Sequence, residues 1–221
     1  MNKQILIPTL LILGISLFAF KANDSILRKN IDAFTISQDP YDLRGGEIIF
    51  QSSQSSLSQA IQLATHSKYS HVGIIFKKGN SYFVYEAVQP VRITPLKEWI
   101  ERGEGGHFVI KRLRKANNIL TPSAIAKMEN QGKKYLGKNY DGYFEWSDER
   151  IYCSELVWKI YKEVLGLEIG ELQKLSEFDL SSPLVKSQIK KRYGNNIPLN
   201  EKVISPAAMF NSDLLETILE G

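Results

Sequence analysis

The segment YSHVGIIFKKGNSYFVYEAV, residues 69–88, constrains the fold more than any other part of the chain. Two runs rich in β-branched and aromatic residues flank KKGN, in which Gly79 and Asn80 are typical turn residues. The pattern predicts an antiparallel β-hairpin. A fold that contains this hairpin needs further strands or helices to cover its apolar face.

A strongly periodic helix is predicted for YCSELVWKIYKEVLG, ending at Gly166. Shorter helices are predicted for residues 55–67, 94–103, 121–137 and 182–194. In the second of them Thr94 is the expected N-cap and Pro95 the first helical residue. Strands are predicted for 47–51 and 107–113, and a short strand followed by a helix opening at Ser205 and Pro206 completes the chain. These elements predict an α+β fold, with an antiparallel sheet packed against helices.

The first 22 residues differ from the rest of the sequence. Lys3 is followed by an apolar run from Ile5 to Phe20 and then by small and polar residues. This pattern predicts a signal peptide or, if it is not cleaved, an N-terminal membrane anchor. Residues 23–221 would then form a single domain that is exported to the periplasm or outside the cell. An uncleaved segment is the only membrane contact that we expect.

Charge and ligand spacing exclude several classes of function. The formal net charge is +4, and Lys3 and Lys21 supply two of these charges. The remaining excess of basic residues is too small to predict a nucleic-acid-binding surface. Residues 186–194 are most simply a solvated basic helix face, with contact to an anionic surface as the alternative. One cysteine and three scattered histidines lack the spacing of a metal site, so we expect no metal and no cofactor.

Cys153, the only cysteine, begins the periodic helix. A lone cysteine in an exported protein cannot form an internal disulfide, so it is either a small buried hydrophobe or a reactive group. A thiol attacks as thiolate, which a helix N-terminus and a neighbouring imidazolium both favour. The preceding SDER offers Ser147 or Asp148 as an early helix cap. Glu155, in the first turn, either complements the helix dipole or takes part in the chemistry.

His71 is the best candidate for the base that activates this thiol. His66 ends a helix, and His107 either opens a strand or lies in the loop before it, whereas His71 begins the first hairpin strand. A turn at Lys78–Gly79 places His71 directly opposite Glu86, and a turn at Gly79–Asn80 makes them diagonal neighbours on one face. Only a loop of odd length separates them. Glu86 could therefore orient the imidazole, although an exposed cross-strand ion pair gives the same pattern.

With these residues in order, the sequence resembles the permuted papain-like hydrolases of the NlpC/P60 superfamily, and within them the YiiX/YaeF-like (C92) branch. The resemblance rests on GGEIIFQSS, SHVGIIF, VYEAV and YCSELV, and covers roughly Leu43 to Leu167. It implies a circularly permuted papain-like fold in which the histidine precedes the cysteine. It also implies Cys153 as nucleophile, His71 as base, Glu86 as third member, and a thioester acyl-enzyme.

Several functions remain compatible with this resemblance. The first is a cysteine amidase or peptidase that cuts peptide-type bonds, for instance in cell-wall peptides. The second is a lipid-directed acyl hydrolase, thioesterase or acyltransferase with the same Cys–His–Glu site, and the third a binding module. An apolar cleft would favour lipid, and a groove with charged anchors would favour cell wall. Aromatic residues that either line a substrate groove or pack as core are Tyr140, Tyr143, Phe144, Trp146 and Tyr152.

Overall fold

The computed structural model describes residues 42–221, and its central element is a six-stranded antiparallel sheet. The strands of this sheet are β1 (Ile48–Gln51), β2 (His71–Lys78), β3 (Ser81–Glu86), β4 (Arg92–Pro95), β5 (Val109–Leu113) and β10 (Leu215–Glu220). Their order is β10–β5–β1–β2–β3–β4, and every neighbouring pair is antiparallel. The β2–β3 hairpin therefore lies inside the sheet, covered on its outer side by β4.

Helices and two small sheets surround this framework. The helices are α1 (Ser56–Thr65), α2 (Leu96–Glu101), α3 (Ala116–Ile119), α4 (Pro122–Lys133), α5 (Cys153–Leu165), α6 (Pro183–Tyr193) and α7 (Pro206–Phe210). The small sheets pair β6 (Asn139–Tyr140) with β7 (Arg150–Ile151), and β8 (Gln173–Lys174) with β9 (Lys202–Val203). The arrangement confirms the α+β class, with an antiparallel sheet packed against helices.

The hairpin register follows from its turn. Lys78 faces Ser81 and Ile74 faces Tyr85, so Gly79 and Asn80 form a two-residue turn. Of the registers considered from sequence, this is the one that makes His71 and Glu86 diagonal neighbours on the same face of the sheet. The even spacing is what keeps both side chains on one face.

Helix α5 is the element that covers the sheet at the hairpin. It packs against β2 and α4, and its first nine residues, Cys153 to Tyr161, are all buried. Its apolar residues recur on successive turns, so they form a stripe that joins the core of the protein. The helix ends where Gly166 adopts a left-handed conformation with φ 70°, as its sequence predicts.

Three local predictions are wrong. Thr94 does not cap a helix but lies in β4, because its hydroxyl donates a hydrogen bond to the buried Glu86 carboxylate. The helix α2 begins only at Leu96. Neither Ser147 nor Asp148 caps α5, which begins at Cys153 after Tyr152.

The third wrong prediction concerns the end of the chain. The predicted helix that opens at Ser205 is only five residues long. Residues 215–220 form β10, because they complete the edge of the sheet beside β5.

The predicted N-terminal leader, residues 1–22, lies outside the described residues. Within residues 42–221, no helix has both the length and the apolar character that crossing a membrane requires.

Candidate active site

Cys153 is the first residue of α5 and only 3% of its surface is exposed. The start of this helix is held by the chain that follows β9. The Ile204 N–H donates to the Tyr152 hydroxyl at 3.1 Å, and the Ser154 hydroxyl donates to the Ile204 carbonyl at 2.7 Å. The N–H groups of a first helical turn have no partner within the helix. The thiol is therefore rigidly held beside backbone donors.

His71 begins β2, the strand against which α5 packs, and this packing brings the ring to the thiol. Its Nε2 lies 2.7 Å from Glu86 Oε2. The other ring nitrogen, Nδ1, is left for the hydrogen bond between the imidazole and the Cys153 side chain. The indole of Trp99 stacks on the imidazole, with ring centroids 5.7 Å apart and planes 22° apart. The structure thus joins Cys153, His71 and Glu86 in one hydrogen-bonded line.

The electrostatics of this line favour a charged imidazole. Burial by itself would lower the pKa of His71, but the hydrogen bonds to Cys153 and Glu86 outweigh it and raise the pKa to about 9. Burial would likewise raise the pKa of Glu86, yet the His71 and Arg102 partners and the Thr94 hydroxyl hold it well below its usual range. The arrangement suits an imidazolium that is hydrogen-bonded to the Glu86 carboxylate on one side and faces Cys153 on the other.

Three contacts to Glu86 were missed by the sequence reasoning. The Thr94 hydroxyl donates to Oε1 at 2.6 Å, Arg92 Nε lies 3.4 Å from Oε1, and Arg102 Nη2 donates to Oε2. A correct prediction of β4 would have indicated two of them, because Arg92 faces Glu86 directly across the β3–β4 pair and Thr94 is a diagonal neighbour of Glu86 on the same face. Arg102 follows α2 and is brought near only by the tertiary fold.

The thiol opens into a groove with a cavity volume of about 110 Å³, similar to apolar cavities that hold a small hydrocarbon. One wall is formed by α1, one by α6, and the floor by β9 and the start of α5. The apolar residues that line it include Leu57, Ala60, Ile61, Val185, Ile189, Val203 and Ile204. Arg192 also reaches it, but its guanidinium bonds to the Gly142 carbonyl at 2.8 Å and to the Gln188 side chain at 2.7 Å.

The candidate substrate-binding aromatic residues fall into two groups. Tyr140, Phe144 and Tyr152 line the groove, and the Tyr140 hydroxyl hydrogen bonds to Cys153. Tyr143 and Trp146 lie outside the groove lining, where their rings contact Tyr193 and Trp158 respectively. A role in substrate binding stays a prediction for all of them.

The other two histidines lie away from the thiol. His66 caps α1 with φ 50° and faces Asp179 at 3.3 Å, largely exposed to solvent. His107 lies 3.6 Å from Glu220 at the edge of the sheet. Of the three histidines in the sequence, His71 is the one placed to act on Cys153.

Comparisons with known proteins show which family the chain resembles. Residues 42–219 match the model of a family described as permuted papain-like amidase enzyme, YaeF/YiiX, C92 family. The uncharacterized protein YiiX of Escherichia coli K12 is 52% identical over 173 residues, which are 78% of this chain and 84% of that protein. A crystal structure of YiiX from Escherichia coli O157:H7 has a TM-score of 0.77 and 51% identity, covering 80% of this chain and 97% of that one.

That crystal structure is described as a metalloprotein. In residues 42–221 of the present chain, no three His, Cys, Asp or Glu side chains are grouped so that they could hold a metal ion. Glu86 is a poor ligand in particular, because arginine or hydroxyl donors occupy both of its oxygens. The family match over 178 residues, together with the order of histidine and cysteine, leads to one assignment. The chain belongs to the C92 family of permuted papain-like amidases.

Proposed function

We propose that the protein hydrolyses amide bonds through a thioester formed on Cys153. One observation carries the proposal: the hydrogen-bonded line from Glu86 through His71 ends on the only cysteine, at the wall of a groove. A nucleophile, a base and a group that orients the base are the parts that covalent acyl transfer requires. The family to which the chain belongs supports an amidase of this kind.

The geometry suggests the following steps. The Cys153 thiolate attacks the carbonyl carbon of the amide, and the negative charge moves to the carbonyl oxygen. We expect the backbone N–H of Cys153 and the Tyr140 hydroxyl to donate to that oxygen. The C–N bond then breaks as the His71 imidazolium gives its proton to the leaving nitrogen. Water attacks the thioester while His71 accepts a proton, which releases the acid and restores the thiolate.

The lining of the groove supports an apolar acyl group as the preferred substrate. An acyl chain that enters between α1 and α6 would contact aliphatic side chains such as Ile61 and Ile189. A charged cell-wall peptide would need counter-charges, and Arg192 is already engaged by Gly142 and Gln188. Burial of each methylene contributes about 0.8 kcal/mol, so longer acyl chains should bind more tightly until the groove is full. We therefore favour the lipid-like acyl group over the cell-wall peptide.

The catalytic part of the proposal is tested by alkylation of the single cysteine with iodoacetamide. His71→Gln should slow labelling of Cys153 about 100-fold at pH 6, because an isolated thiol is mostly protonated there. Cys153→Ser should abolish hydrolysis of amide substrates. His66→Gln is the matched control and should leave both rates unchanged. Equal labelling of the wild type and His71→Gln would disprove the proposed pair.

The substrate part is tested with p-nitroanilides that carry acetyl, hexanoyl or palmitoyl groups, beside a peptidoglycan tetrapeptide. We expect kcat/KM to rise from acetyl to hexanoyl and to exceed the rate on the tetrapeptide. Ile189→Gln in α6 should reduce this preference about tenfold, whereas Ser187→Gln on the exposed side of the same helix should not. Faster cleavage of the tetrapeptide by wild-type protein would favour the cell-wall function instead.

Export is a separate part of the proposal. We infer it from the charged and apolar leader and from the use of a single unpaired cysteine. Fractionation of cells that express the full chain should recover it outside the cytoplasm, and deletion of residues 2–22 should retain it inside. If deletion of residues 2–22 leaves the location of the protein unchanged, the proposed export is wrong, and the proposed hydrolysis is not affected.

A further inference from the structure

Glu86 has a more crowded surrounding than a group that only orients a histidine requires. The carboxylate is fully buried, and four donors converge on its two oxygens. Oε2 is shared by His71 Nε2 and Arg102 Nη2, while Oε1 accepts from Thr94 and faces Arg92. Rotation of the carboxylate would break at least one of these contacts, so its plane is fixed relative to the imidazole.

Arg102 reaches this carboxylate from a backbone that is itself held in place. Its N–H donates to the Glu98 carbonyl at 3.2 Å, which closes the last turn of α2. The next residue, Gly103, packs so closely on Gln51 that a Cβ there would lie 2.1 Å from Oε1 of the glutamine. The Glu104 N–H then donates to the Ser52 carbonyl at 3.0 Å. The arginine therefore starts from a position anchored to the end of β1.

The same short helix also supports the imidazole. Trp99 of α2 is fully buried and stacks on the His71 ring, while Arg102 at the end of α2 holds the carboxylate. One element and the residue that follows it thus contact both members of the His–Glu pair. No contact of this kind was expected from the sequence, in which α2 had only a structural role.

The charge of Arg102 matters as much as its position. A buried carboxylate without a counter-charge would stabilise the imidazolium strongly and make it a poor proton donor to a leaving group. A guanidinium remains charged at all relevant pH values, so it offsets part of the carboxylate field at the imidazole. The titratable and charged groups near His71 in the described residues are Cys153, Tyr140, Glu86, Arg92 and Arg102.

We propose that Arg102 is a positioning residue of the catalytic site, which fixes the Glu86 carboxylate and balances its charge so that His71 can both accept and release a proton. The proposal rests on the amide hydrolysis proposed above for its chemical meaning. The effect of the Arg102 charge on the pKa of His71, which acts through Glu86, can be measured without a substrate.

The test is an NMR titration of the histidine ring protons in the full-length protein. Three histidines are present, and His71→Gln assigns the relevant signal. In the wild type we expect its midpoint near pH 9. Arg102→Gln should move the His71 midpoint upward by about 1 pH unit, and Glu86→Gln should move it downward by at least as much. Opposite directions for two partners of one ion pair are not produced by simple loosening of the fold.

Control variants separate charge from packing. Lys97 lies on the exposed side of the same helix, so Lys97→Gln should leave the His71 midpoint unchanged. Arg102→Lys keeps the charge and should bring the midpoint back toward the wild-type value. If Arg102→Gln does not fold, Arg92→Gln replaces it, with an upward shift that is smaller because Arg92 is half exposed and more distant.

A midpoint that stays in place or moves downward in Arg102→Gln would overturn the proposal. That outcome differs from failure of the proposed function, which would appear as a wild-type protein without hydrolysis whose His71 still responds to Arg102.

Discussion

At Cys153, the sulfur has neighbours on two sides within the described residues. The His71 imidazole bonds to it from the sheet, and the Tyr140 hydroxyl bonds to it from the groove. Burial, followed by the charge of the sulfur, raises the pKa of the Tyr140 hydroxyl well above its usual value, so the phenol keeps its proton. A neutral phenol beside the sulfur is a fixed hydrogen-bond donor, which a developing oxyanion on the adjacent carbon can also use.

Replacement of this hydroxyl tests that role. Tyr140→Phe should lower kcat for amide hydrolysis about 100-fold with little change in KM, because the lost hydrogen bond strengthens only in the transition state. Phe144→Leu, a groove-lining ring without a hydroxyl, is the control and should act mainly on KM. Steady-state kinetics distinguish the two outcomes. A loss confined to KM in Tyr140→Phe would assign the tyrosine to substrate binding alone.

Among the elements, the β2–β3 hairpin sets the distance between base and carboxylate. Gly73 lies two residues after His71 in β2 and opposite Glu86 in β3. It has no room for a side chain, since a Cβ would lie 2.4 Å from Val84 Cγ1 and 2.8 Å from the Tyr85 carbonyl oxygen. Gly73→Ala should therefore force the strands apart, lower the free energy of unfolding by about 2 kcal/mol and slow alkylation of Cys153. Gly142→Ala, where nothing lies within 4 Å, is the control. Urea unfolding measures the stability and alkylation measures the reactivity of Cys153. An unchanged labelling rate in Gly73→Ala would show that the reactivity of Cys153 does not depend on the spacing of the hairpin strands.

Helix α5 also contains a buried carboxylate. Glu155 is fully buried, its carboxylate accepts the Tyr152 N–H at 3.3 Å, and Lys159 lies 2.8 Å away. Burial raises the pKa of Glu155 to about 7, although Lys159 opposes the shift. The folded protein thus binds a proton between about pH 4.5 and pH 7 that the unfolded chain has lost, so this group reduces stability as the pH rises through that window.

Glu155→Gln should remove that pH dependence. Between pH 5 and pH 7.5 the free energy of unfolding of the wild type should fall by roughly 2 kcal/mol more than that of the variant. Urea unfolding at the two pH values gives the difference, and Glu163→Gln in the same helix, where the carboxylate is exposed, is the control. If the free energy of unfolding of Glu155→Gln changes with pH as that of the wild type does, another group causes the pH dependence.

The elements also show why sequence reasoning succeeded in some places only. The hairpin and α5 were predicted because their apolar periodicity and turn residues are local signals. Thr94 was assigned to a helix cap because the sequence does not show that a buried carboxylate competes for its hydroxyl. Residues 215–220 form a strand because β5 offers an unpaired edge, which no local pattern in LETILE reveals. The candidate residues Cys153, His71 and Glu86 were predicted from the helix start, the hairpin register and the motif order, and their catalytic role stays a prediction, whereas the contact of Arg102 required the tertiary fold.

For the whole molecule, β10 closes one edge of the central sheet. The Phe108 N–H donates to the Gly221 carbonyl at 2.8 Å, and the Arg114 N–H donates to the Leu214 carbonyl at 2.9 Å, at the two ends of the pairing. Termination after Asp213 should expose the β5 edge, lower Tm and cause concentration-dependent association, because unpaired edges add further strands. Size-exclusion chromatography checks this, with Glu216→Gln as a control that keeps the strand. A monomeric truncated protein with unchanged Tm would contradict the expectation.

The order of His71, Glu86 and Cys153 along the chain has a consequence for protein synthesis. His71 is translated 153 − 71 = 82 residues before Cys153, and the N-terminal part of a chain leaves the ribosome first. His71 and Glu86 can pair in their hairpin while the nascent chain still contains no thiol. Products that stop before residue 153 therefore contain no cysteine, and those that stop between residues 153 and 215 combine a thiol with an open sheet edge.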